Sequence, residues 1–241
     1  AMVNRQLADY DLLRVNAPMG LGRMRLNAWQ GKPPSGAGRY FDLDIQDADF
    51  DDLTPDGILP FALTGRFSAQ VFFEQAGGVT AAGRLRIRDG VLSRFALFDW
   101  FADRFDLPRM RQIPFIELSS GLSVNGRGLS LGDLSFDSEP LKISGYFDLK
   151  NQKLVNSHLN LKLDPGVFAG SPRLAPLFAD STRYPQGVDF PFRLSGQLMA
   201  MNFQWMPSPA KSLIQERLPN FMERRIDRNV EKLLDSSAAG R

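Results

Sequence analysis

Apolar and polar residues alternate with a period of two through most of the chain. Phe61, Leu63, Gly65, Phe67, Ala69, Val71 and Phe73 are interleaved with Ala62, Thr64, Arg66, Ser68, Gln70, Phe72 and Glu74, which predicts one long half-buried strand with Phe72 as its large exception. The same alternation recurs over 23–28, 41–45, 84–88, 129–136, 141–149, 159–163 and 190–194. Turn chemistry separates these runs, at Gln75-Ala76-Gly77-Gly78, Arg88-Asp89-Gly90, Asn125-Gly126-Arg127-Gly128 and Lys150-Asn151-Gln152-Lys153. The pattern predicts an antiparallel meander of about nine or ten strands.

Two stretches change period. Over Val91 to Phe105, the residues Leu92, Phe95, Phe98, Phe101, Ala102 and Phe105 share one face of a helix, with Leu97 and Trp100 widening the apolar sector. From Ser208 to Asp235 the spacing of Leu213, Leu218, Phe221, Met222, Ile226, Val230, Leu233 and Leu234 is again helical, and Pro219 divides it into a short and a longer helix. Asp164 to Gly187, rich in Pro, Gly and Ser, predicts a long loop with a helical turn near Arg173 to Phe178. So little helix does not cover so many strands. The expected fold is therefore mainly β: a long twisted antiparallel meander forming an apolar groove or incomplete barrel, with a short helical insert and amphipathic C-terminal helices. The groove domain is expected over 1–206, with the insert near 91–105, and the helical segment and tail over 207–241. A closed two-sheet sandwich is the alternative.

Composition permits a substantial core. The chain has 241 residues, 43% of them hydrophobic, which suits a globular protein and excludes disorder and collagen. Lys and Arg number 29 against 27 Asp and Glu, so the isoelectric point near 9.0 reflects one His, no Cys and few groups titrating in between. No strong basic bias favours nucleic acid as a partner. The lack of cysteine removes disulfides, Cys-ligated zinc, iron–sulfur clusters and thiol nucleophiles. There is no apolar run of about 18 residues. Ala1-Met2 ahead of Val3 reads as an added start, so an upstream signal or anchor is expected outside this sequence.

Candidate chemistry is sparse, and no enzymatic role or cofactor is expected. His158 falls on the polar side of the alternation Leu159, Leu161, Leu163, and no nucleophile or orienting acid is marked for it, so it reads as a solvated strand residue. Asp42, Asp44, Asp47, Asp49, Asp51, Asp52 and Asp56 form the densest acidic stretch. It lacks the glycine and terminal glutamate of an EF-hand loop, which leaves calcium the weaker reading and a solvated strand face the stronger. Arg84, Arg86 and Arg88 share one strand face; a solvated face is the simpler reading, and contact with phosphate head groups or an anionic membrane is the functional one. Leu218, Phe221, Met222, Ile226 and Val230 make a stripe suited to capping the sheet or to lying on a membrane or in a partner's groove.

Several short segments carry a family resemblance. Gly83-Arg84-Leu85-Arg86-Ile87-Arg88-Asp89-Gly90-Val91-Leu92 is a strand ending in Asp-Gly before a helical excursion, and Phe98-Asp99-Trp100-Phe101 leads on to Ile113-Pro114-Phe115-Ile116-Glu117-Leu118. Leu141 to Leu149 ends in Gly-x-x-Asp-Leu, and Phe190-Pro191-Phe192-Arg193-Leu194-Ser195-Gly196 forms a late inward strand. Together these resemble the C-terminal region of the AsmA-like family of bacterial envelope proteins, most strongly from Gly83 to Leu163. Residues before about Tyr40 and the loop Gly166 to Gly187 have no counterpart in it.

The resemblance implies a twisted β-groove that holds phospholipid or other acyl lipid, in the periplasm, with the full-length protein anchored in the inner membrane by an N-terminal segment. An envelope protein partner would be compatible with it. Outer-membrane maintenance and phospholipid transport are the processes it points to. The groove lining expected from the alternation is Phe61, Leu63, Phe67, Val71, Leu85, Ile87, Leu129, Leu131, Ile143, Phe147, Leu161, Phe190 and Phe192. An uncovered apolar face gains roughly 25 cal/mol for each Å² it hides, a strong reason to take up acyl chains. If these residues instead form an ordinary core, a charge among them unfolds the protein.

Overall fold

The computed structural model describes residues 2–8, 10–31, 38–53, 59–75 and 78–218. Among these, thirteen strands form a single antiparallel sheet: β1 (Met2–Ala8), β2 (Tyr10–Met19), β3 (Gly22–Gly31), β4 (Gly38–Asp49), β5 (Ala62–Leu63), β6 (Arg66–Gln75), β7 (Val79–Ser93), β8 (Gln112–Asn125), β9 (Gly128–Asp137), β10 (Leu141–Lys150), β11 (Lys153–Leu163), β12 (Val188–Gln197) and β13 (Ala200–Trp205). Strand order follows chain order, except that β4 pairs directly with β6 and the two-residue β5 pairs with the far end of β7. β1 and β13 are the free edges, so the sheet is a meander that does not close. The two-sheet sandwich is not the architecture.

Four short α-helices accompany the sheet among the described residues: α1 (Phe50–Leu53), α2 (Ala96–Phe105), α3 (Ala175–Phe178) and α4 (Pro209–Arg217). The helical insert starts later than its periodicity suggests, because β7 carries Val91 and Leu92 against Pro114 and Ile113 of β8. The chain leaves β7 at Arg94, in a left-handed conformation (φ 56°), and α2 ends at Asp106, also left-handed (φ 55°), with Leu107 N–H donating to the Ala102 carbonyl at 3.0 Å. α4 begins at Ser208, whose hydroxyl accepts from Lys211 N–H at 3.2 Å, and it stops just ahead of Pro219. Ala210, Ile214 and Leu218 pack on the same core as β12 and β13, so this core crosses the expected boundary at residue 206. Phe221, Met222, Ile226 and Val230 lie outside the described residues.

The predicted long strand over 61–74 is two strands. Gly65 adopts φ +131°, open to glycine alone, and a side chain there would strike the Arg88 carbonyl. Elsewhere the period-two faces survive because bulges absorb extra residues. Asp47 in β4, Asp133 in β9 and Asn156 in β11 are left-handed (φ 50–51°), each at a shift of register. Asp and Asn tolerate this conformation better than other side chains, and each bulge bends the sheet and raises its twist. Alternation within a strand then resumes on the correct face. Ile45 and Ala48 are three apart and share a face, as do Leu131 and Leu134.

Candidate functional site

The registers line the inward side chains up in rows that run across the strands. One row passes from Leu13 through Ala28, Phe41, Phe73, Ala81, Val124, Leu129 and Leu149 to Leu154. The next passes from Val15 through Leu26, Leu43, Val71, Gly83, Leu122 and Leu131 to Phe147. A third holds Ala17, Met24, Ile45, Ala69 and Leu85 before meeting Ser120. The first two rows contain no polar side chain. At about 4.8 Å per strand, the nine strands of the first row span about 38 Å. One leaflet of bilayer hydrocarbon is about 15 Å deep.

These rows floor an apolar trough. Ile45, Ala48, Ala69, Val71 and Ala81 are buried at its centre, and Leu43, Phe73, Leu85, Leu122 and Val124 pack around them while keeping part of their surface in solvent. Among the described residues no helix lies over this part of the sheet. The trough ends toward β11, where Leu154 and Met201 belong to a different, closed core.

That second core fills the other half of the molecule. α2 turns Leu97, Phe98, Phe101, Ala102 and Phe105 onto the sheet, all buried. Phe101 stacks edge-on against Phe190 (5.3 Å between ring centres) and Phe192 (6.2 Å), and Trp100 meets Trp205 at 6.3 Å. Phe95 joins Phe61 (5.8 Å) to Phe203 of β13 (5.6 Å), which ties the region before β5 to the last strand. α2 thus covers the inward face of the sheet in this half. Phe168 and Phe178, from the 164–187 segment, close the remaining side.

The predicted lining residues divide between the two halves. Val71 and Leu85 are in the trough and Leu129 and Leu131 continue its rows, Phe147 at the end of the second row packs against the closed core, and Phe67 sits at the junction of the two cores. Leu63, Ile87, Ile143, Leu161, Phe190 and Phe192 are packed in the closed core, the last three with no more than 1% of their surface exposed, and Phe61 lies against α2. They share one buried cluster with α2, whose Phe101 lies directly on Phe190 and Phe192. Leu26, Phe41, Leu43, Leu122 and Val124 join the trough floor. Their alternation is visible in the sequence, and only register brings them together.

The arginines lie on the opposite face of the sheet. Arg86 pairs with Glu117 at 3.1 Å and Arg88 with Asp47 at 2.8 Å, while Arg84 borders a polar depression of about 540 Å³ shared with Asp44 and Glu117. A head group of a lipid lying in the trough would not reach them through the sheet. The acidic stretch is spread over several partners: Asp42 and Asp44 on the outer face, Asp47 on Arg88, Asp49 on Arg66 at 3.3 Å, and Asp51 and Asp52 exposed in α1. Asp56 lies outside the described residues. Among the described residues, no three His, Cys, Asp or Glu side chains converge as metal ligands would. His158 is on the outer face, its Nδ1 2.8 Å from the hydroxyl of Tyr146.

No helix among the described residues is long and apolar enough to cross a membrane, which leaves strands unaddressed. No family model, curated protein or solved structure matches the chain.

Proposed function

We propose that this protein is a non-enzymatic lipid-binding and lipid-transfer module of the cell envelope, related to the AsmA-like proteins. Acyl chains of a phospholipid lie along the trough, across the strands from β2 to β10, and contribute to phospholipid transport or outer-membrane maintenance in the periplasm. The observation that carries this reading is the pair of uninterrupted apolar rows, one crossing eight strands from β2 to β10 before it enters the closed core at Leu154, without helical cover among the described residues while the rest of the sheet has its own. An exposed apolar surface of this continuity is rare without an occupant. The family resemblance over Gly83 to Leu163 points the same way.

The test is native mass spectrometry of the purified protein, followed by solvent extraction and lipid analysis. Stoichiometric phospholipid or fatty acid is the expected result. A ligand-free mass, with no uptake from vesicles, overturns the reading and leaves a scaffold role.

A further inference from the structure

The two long rims of the trough differ in charge. In an antiparallel meander alternate connections fall on the same side, so the turns β6–β7, β8–β9, β10–β11 and β12–β13 share one rim, next to the row from Leu13 to Leu154. Their connecting residues, 76–78, 126–127, 151–152 and 198–199, include no carboxylate. Arg127, Lys150 and Lys153 project there, all exposed, and the nearest acids, Glu74 and Asp148, lie further inside on the strands. Two large apolar side chains stand out on the same rim, Val79 at 55% exposure and Met199 at 57%. The opposite rim carries the long connections, where Asp51, Asp52, Asp99, Asp103, Asp106, Glu139, Asp164 and Asp180 are interspersed with Arg94, Arg104, Arg109, Arg111, Arg173 and Arg183, and Arg111 is ion-paired with Asp103.

We propose that the hairpin rim rests on an anionic phospholipid membrane, with Arg127, Lys150 and Lys153 among the head groups and Val79 and Met199 reaching the acyl boundary. Exposed cations that outnumber the acids beside them are drawn to the negative surface potential, and exposed apolar tips gain by leaving water. The opposite rim, where acids accompany the cations, is attracted less and faces away. This orientation lays the first apolar row alongside the bilayer, so a lipid enters the trough sideways, over the rim. The docking surface rests on charge and exposure at the turns and does not require the trough to hold lipid.

The experiment is vesicle flotation, comparing phosphatidylglycerol-containing vesicles with phosphatidylcholine alone. The expected result is binding to the anionic vesicles that weakens with salt. The triple variant R127Q/K150Q/K153Q should bind about 100-fold more weakly, at about fivefold for each cation removed. R173Q/R183Q, on the opposite rim, should bind like the parent. Absence of binding by the parent, undiminished binding by the triple variant, or an equal loss in the control overturns the proposal, as does capture of acidic protein without vesicles. Lipid extraction from the same samples separates the two readings: a parent that floats but carries no lipid sinks the trough alone.

Discussion

The two halves of this sheet use the same strand pattern to different ends. In the half built from the end of β7 through β13, inward residues meet α2 and the 164–187 segment and are buried against aromatic rings. In the half built from β2 to the near ends of β9 and β10, the inward residues are just as apolar but, among the described residues, meet only their neighbours on the sheet. A strand's alternation therefore states which side is apolar. What covers that side is decided by a ten-residue helix inserted between β7 and β8.

Substitutions should separate the halves. The largest effect is expected from Phe190→Asp or Ile143→Asp in the closed half, where an unpaired charge has no route to water; these variants should fail to fold. Phe101→Ala, milder, should cost about 3–5 kcal/mol in urea unfolding. Leu43→Asp and Leu131→Asp, in the trough, should stay folded at a cost of about 1–2 kcal/mol and lose co-purified lipid. If they unfold as completely as Phe190→Asp, the two halves are one core and the comparison fails. Phe67→Asp, at the junction, should fall between the two sets.

Smaller effects probe the bends and the rim of α2. Asp133→Gly should raise stability by up to about 1 kcal/mol, since the bulge holds a left-handed residue there. A loss would mean that the aspartate side chain matters more than its backbone. Asp99, on α2, has its carboxyl pushed above the usual range by burial, partly offset by Arg111 and reinforced by Asp103. A raised carboxyl favours the folded state while protonated, and that contribution is lost as pH rises through its folded value. Asp99→Asn should therefore raise the melting temperature slightly near neutral pH and flatten its dependence on pH in the acid range. A lower melting temperature would show that the Arg111 contact, at 4.0 Å, outweighs the desolvation.

Much of the fold was legible. Alternation at 84–88 and 141–149 places strands where they occur, and Asn151-Gln152 forms its two-residue turn with both residues left-handed, although only Asn commonly adopts that conformation. The bulges were not legible, because Asp47, Asp133 and Asn156 look like ordinary polar strand residues until register is known. For the same reason the candidate site was half legible. Leu161 and Leu131 have the same local pattern, yet only Leu161 belongs to the closed core that Phe101 joins from tens of residues away.

Apart from β5, each strand pairs with the one made just before it. Loops closed by such pairings are short, so the entropy spent on each is small and the sheet can grow hairpin by hairpin. The first strands need nothing from the last. The aromatic core, by contrast, must wait for β12, β13 and α4, the final described elements to leave the ribosome. Chain order thus becomes an order of assembly, in which the apolar trough exists before its far end is sealed. Pulsed hydrogen exchange during refolding should find amides of β3 and β4 protected earlier than those of β12; simultaneous protection would mean that the sheet forms as one cooperative unit.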